Sequence, residues 1–124
     1  MVRNVDGGGA IVGVTTRERD GVLIIDLEGK LMGGADSDSL REEFKRIADR
    51  GIKKVIINLE GVPWMNSSGL GVLLAAFIQI RKSGGEMRFL NTQERVRSIL
   101  TTTKLEKMIE AFDNENTALA SFRC

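Results

Sequence analysis

The chain has 124 residues, a formal net charge of +1, 42% hydrophobic residues and 28% charged residues. That is enough for one domain with its own core, and too little excess charge to draw it to nucleic acid. It holds no His, five Phe, one Trp and one Cys, which removes Ser–His catalysis, base-stacking platforms and any internal disulfide.

Residues 1–9 are polar and glycine-rich and read as a flexible N-terminal tail ahead of a domain over 10–124. The Gly7-Gly8-Gly9 run has no strand before it, so it reads as tail and not as a phosphate cradle. The start, MVRNVDGGGA, has no apolar stretch of the signal-peptide kind. The longest apolar run, Val72 to Ile78, is about a third of the ~20 residues that span a bilayer. These features predict a cytoplasmic protein with no membrane association.

A weakly alternating stretch over 10–17 and the run VLIIDL over 22–27 read as a hairpin about the turn signal Arg19-Asp20-Gly21. A helix then opens near Asp36-Ser37-Asp38-Ser39. Its N-cap is either Asp36 or Ser39, the latter at capping-box spacing from Glu42. Leu40, Phe44, Ile47 and Ala48 form its apolar stripe, and Arg50-Gly51 its stop. Lys53 to Leu59 reads as a strand with a continuous apolar centre, suited to the middle of a sheet. A loop Gly61 to Asn66 leads into a helix from Ser68 to Ser83, apolar around most of its girth and closed by Gly84-Gly85.

Glu86 to Leu90 reads as the next strand. A helix follows, capped by Thr92, striped by Val96, Ile99 and Leu100, and ended by the β-branched triplet Thr101 to Thr103. Lys107 to Phe112 reads as a fifth strand, and Asn114 caps a last helix running through Leu119 and Phe122. The order β-β-α-β-α-β-α-β-α argues an α/β fold, a mixed sheet of about five strands flanked by about four helices.

Catalytic chemistry is hard to assemble from this chain. There is no G-x-x-x-x-G-K-[ST] phosphate loop. Asp36 and Asp38 are close carboxylates, but acids at a helix start answer to the helix dipole more readily than to a metal. The expectation is a non-enzyme with no metal and no cofactor. Cys124 reads as a bystander thiol of a reducing compartment.

The informative stretch is Asn66-Ser67-Ser68-Gly69-Leu70-Gly71, where a loop becomes a helix. The first helical turn presents unpaired N–H groups and partial positive charge, which favours an anion. Either serine can cap. Gly69 and Gly71 either leave the turn open to something large or allow close helix–sheet packing. A phosphoryl group here would add about −1.5 to −2 charge, stabilised locally and repelling a partner on the same surface. Trp64 reads as loop packing or a partner contact; Met65 and Met32 read as packing or part of an adaptable apolar patch.

The run VIINLEGVPWMNSSGLGVLLAAFIQIRKSGGEMRFLN resembles the signature of the STAS family, and specifically its bacterial anti-sigma factor antagonists. The resemblance extends from about Val14 to Phe122. It implies partner switching: the unmodified protein binds an anti-sigma factor that is also an ATP-dependent serine kinase, and so releases a sigma factor. Phosphorylation of the first motif serine separates the pair, and a serine phosphatase resets it. Placed on this chain, the acceptor is Ser67, with Asn66, Ser68, Gly69, Leu70 and Gly71 as the supporting motif, and Met32, Trp64 and Met65 as partner contacts. Two positions depart from the pattern. Asn66 stands where the family usually has Asp, and Met32 follows Gly29-Lys30-Leu31 where an acidic residue is common. The same fold used as an unphosphorylated interaction or scaffold module, for example beside a membrane transporter, is the alternative.

Overall fold

The computed structural model describes residues 2–4, 11–32 and 38–122. Asp36, the Gly7-Gly8-Gly9 run and Cys124 lie outside them. The strands are β1 (Val2–Asn4), β2 (Ile11–Arg19), β3 (Val22–Gly29), β4 (Lys54–Gly61), β5 (Glu86–Leu90) and β6 (Ala111–Phe112). The helices are α1 (Asp38–Asp49), α2 (Ser67–Lys82), α3 (Glu94–Thr102) and α4 (Glu115–Ala120).

One sheet runs β1-β2-β3-β4-β5-β6 in space as in sequence. β1, β2 and β3 pair antiparallel, and β3 to β6 pair parallel. The mixed sheet with four helices is the predicted architecture, with the three-residue β1 added where the tail was expected. β1 covers the edge of β2, whose backbone groups would otherwise face solvent. The β2–β3 turn places both Asp20 (φ 54°) and Gly21 (φ 78°) in the left-handed region, the twist that a two-residue hairpin needs.

A parallel sheet that adds each strand beside the last places successive crossover helices on one face. Ile25, Val55, Ile57, Met87 and Phe89 therefore share a core with Phe44 of α1, Leu73 and Phe77 of α2, and Leu100 of α3. Ile24, Ile56 and Leu90 point the other way, and α4 covers them with Ala118 and Leu119, joined by Phe122. Each buried Val, Leu, Ile, Met or Phe among them contributes about 1.5–3 kcal/mol of transfer free energy.

α4 has only six residues and is tied down from outside. Asn114 Oδ1 caps it, accepting from Thr117 N–H at 3.0 Å. Arg17 Nη2 donates to Glu115 Oε1 at 2.6 Å, and Arg19 Nη1 donates to Glu115 Oε2 at 2.5 Å. The hydrogen bond from Arg17, then that from Arg19, holds the Glu115 carboxyl down to about 2 against the cost of its desolvation. Arg88 lies over the Phe122 ring at 4.4 Å and donates to Ser121 Oγ at 3.1 Å, which fastens the residues just after α4 to β5.

Three local expectations give way. Ser39 is the second residue of α1, not its cap. Thr92 is buried and does not cap α3; Gln93 holds that position without a side-chain bond. The expected strand from Lys107 begins only at Ala111. Leu105 and Ile109 are both buried at helical spacing, and Ile109 N–H donates to Leu105 O at 2.9 Å, so 105–109 coils before the strand starts.

Candidate functional site

β4 carries the chain to Gly61, and the loop that follows is locked before it reaches α2. Leu31, just past β3, forms a parallel bridge with Met65. Leu31 N–H donates to Trp64 O at 3.1 Å, and Asn66 N–H donates to Leu31 O at 3.2 Å. The β3 exit and the mouth of α2 are thus one piece of backbone structure. Leu31 and Met65 are fully buried at its centre, while Met32 and Trp64 are half-buried beside it. Met65 therefore belongs to the core and not to an accessible patch, because the bridge turns its side chain inward.

The helix mouth is capped by Asn66. Its Oδ1 accepts from Gly69 N–H at 2.8 Å, and its backbone is extended, as an N-cap requires. This corrects the assignment of the cap to Ser67 or Ser68. Both serines lie inside the first turn and are exposed, and among the described residues their hydroxyls make no hydrogen bond to the protein. Their N–H groups belong to the first turn, where no helix carbonyl lies within reach, and Arg81 and Lys82 sit at the opposite end of the helix.

The two glycines do different jobs. A Cβ on Gly69 would stand 2.0 Å from Leu31 O, so this residue lets α2 sit directly on the bridge. It is buried and does not open the turn to an approaching molecule. Gly71 is exposed, and a Cβ there would meet nothing within 4 Å. Leu70 is buried and anchors the turn into the core.

Beside Ser67 runs an apolar groove of about 300 Å³ between α2 and α3, lined by Ser67, Leu70, Ser98, Ile99, Thr102 and Thr103. The α3 side of this groove was not anticipated as part of the site. Ile99 stood out as one of a helical stripe, but periodicity alone does not say which helix the stripe meets. The exposed hydroxyl, the half-buried Trp64 and Met32, and this groove gather at one end of the molecule. Among the described residues no cluster of His, Cys, Asp and Glu could hold a metal, and no helix is long and apolar enough to cross a membrane.

The STAS domain family model matches residues 13–118. The Anti-sigma F factor antagonist of Paenibacillus polymyxa is 35% identical over 100 residues, covering 80% of this chain and 85% of that protein. A crystal structure of an anti-sigma factor antagonist from Mycobacterium paratuberculosis superposes with a TM-score of 0.79 at 20% identity, over 93% of this chain and 96% of that one. The Bacillus protein SpoIIAA has the same fold in its phosphorylated form, with a TM-score of 0.69 at 20% identity over 89% of this chain and 99% of that one. Its unphosphorylated form gives 0.74 at 20% identity, over 89% and 96%.

Proposed function

The chain belongs to the STAS domain family, among the anti-sigma factor antagonists, and from that premise we propose that it is switched at Ser67. In this reading the unmodified protein binds a cytoplasmic anti-sigma factor through the end of the molecule that carries Ser67, Trp64, Met32 and the α2–α3 groove. The partner is also a serine kinase and supplies the ATP. The Ser67 Oγ attacks the γ-phosphorus, the bond to the leaving ADP breaks, and the hydroxyl proton passes to a base on the kinase. A serine phosphatase reverses the modification.

One observation carries this reading: the cap belongs to Asn66, so the exposed Ser67 hydroxyl has no structural duty. The Asn66 amide keeps the capping bond, which a carboxylate oxygen of the usual Asp would accept equally from Gly69 N–H. A phosphoryl group at Ser67 brings about −1.5 to −2 charge to the positive end of α2, where it is stabilised. The same charge occupies the surface that a partner must dry and contact, so modification weakens docking without unfolding the domain.

The test uses the purified chain, its anti-sigma factor and ATP, with intact mass and peptide mapping. One phosphate on Ser67 is expected, and none on Ser67→Ala. Phosphate on the same peptide of Ser67→Ala overturns the assignment. Ser67→Glu is expected to weaken partner binding at least tenfold; an unchanged Kd overturns the charge mechanism.

A further inference from the structure

Among the described residues, two large hydrophobic side chains are markedly exposed, Ile78 at 43% and Met108 at 54%. They are 30 positions apart in sequence and share one groove of about 520 Å³ with Phe77, Arg81 and Lys82. We propose that this groove, between the second half of α2 and the turn over Leu105–Met108, is a docking surface for an acidic amphipathic segment of a partner protein.

The composition of the groove defines the occupant. Its walls are apolar and its charged members are both basic; no carboxylate lines it. Arg81 lies 5.7 Å from the Phe77 ring centroid, which holds the guanidinium over the apolar floor. Lys107 adds a further exposed cation next to Met108 in sequence. The nearby Glu106 is turned toward α3, where Thr101 Oγ1 donates to its Oε2 at 3.0 Å. An occupant must therefore bring apolar side chains for Ile78 and Met108, and carboxylates for Arg81 and Lys82. A two-fold contact between copies would set Arg81 and Lys82 against their own images, which disfavours self-association. The groove is shallow and open, so the occupant lies along it with its apolar face toward Ile78 and Met108.

The groove is also separate from the switch. Ile78 follows Ser67 by eleven helical residues, about 16 Å along α2 at 1.5 Å per residue. The two grooves share no lining residue, so a short peptide seated here does not rest on the Ser67 hydroxyl.

The probe is a synthetic amphipathic helix peptide with Leu residues one turn apart flanked by Glu, titrated into the isotopically labelled full chain. Saturable amide shifts centred on Ile78, Arg81, Lys82 and Met108 are expected. The double variants Ile78→Ser/Met108→Ser and Arg81→Glu/Lys82→Glu are each expected to weaken binding at least tenfold, with far-ultraviolet circular dichroism unchanged. Ser67→Glu is expected to leave the affinity within twofold, which separates this surface from the switch. Absence of saturable binding overturns the proposal, as does equal binding of a peptide with Lys for Glu. Shifts at the same residues on simple concentration of the chain would assign the groove to a second copy. Shifts with phosphatidylglycerol vesicles but not with the peptide would assign it to a membrane.

Discussion

Replacing Gly69 with Ala tests whether α2 is seated on Leu31 as tightly as its backbone implies. The new Cβ would lie 2.0 Å from Leu31 O, 2.6 Å from Leu31 C and 2.9 Å from Leu31 Cγ. The oxygen is about 1.4 Å inside ordinary van der Waals contact, and two of the three obstructing atoms are backbone held by the bonds to Trp64 and Asn66. Rotamer changes cannot relieve such a clash, so the helix or the bridge must move. Overpacking of this kind costs about 1–3 kcal/mol or more, against a helix-propensity gain of about 0.5–1 kcal/mol for Ala over Gly. With contacts this short the cost lies toward the upper end, and the net expectation is a loss of about 1–2.5 kcal/mol. Gly71→Ala, two residues on and into open space, keeps only the gain and should stabilise by about 0.5–1 kcal/mol. Urea unfolding of the three proteins, fitted with a common slope, reads the difference directly. The close seating is refuted if Gly69→Ala falls within about 0.5 kcal/mol of the parent, or if both alanines shift stability in the same direction.

Further outcomes follow from the caps and the outer ion pairs. Asn66→Ala should lower stability by about 1 kcal/mol through loss of the bond to Gly69 N–H, whereas Asn66→Asp should keep the bond and gain about 0.3–1 kcal/mol from the helix dipole; thermal melts at low salt separate the two. Glu115 is held at about 2 from an ordinary 4.5, so its contribution is complete above pH 4.5 and fades as pH falls toward 2. Since Arg17 and Arg19 are partly exposed, that contribution is about 1 kcal/mol, and Glu115→Gln should flatten the stability profile over that window in urea melts taken at successive pH values. A profile of unchanged slope would remove the pair from the account of acid sensitivity.

The strands and helices were legible because each buries a face with its own period. The stripe Leu40, Phe44, Ile47 announced α1, and the unbroken Val55-Ile56-Ile57 announced a strand covered on both sides. Local polar chemistry was harder to read. Asn66, Ser67 and Ser68 can all cap, and what decides among them is Leu31, 35 positions before Asn66 in the chain, whose carbonyl fixes the Asn66 backbone. The same distant contact decides for Gly69 between an open turn and close packing, and turns Met65 inward. Leu105 and Ile109 suit either a strand or a coil, and only their shared burial shows that the chain turns there.

α2 is fastened at both extremities. At one, Gly69 rests on Leu31; at the other, Lys53 Nζ donates to Ser83 O, and Glu86 N–H donates to Lys53 O at 2.7 Å. A rod pinned in this way has little travel available to it. If Ser67 is modified as proposed, this pinning favours a local mark over a relayed change of shape. The burden of interpretation then falls on the reader of that mark, so a partner with a differently charged pocket could draw the opposite instruction from the same molecule.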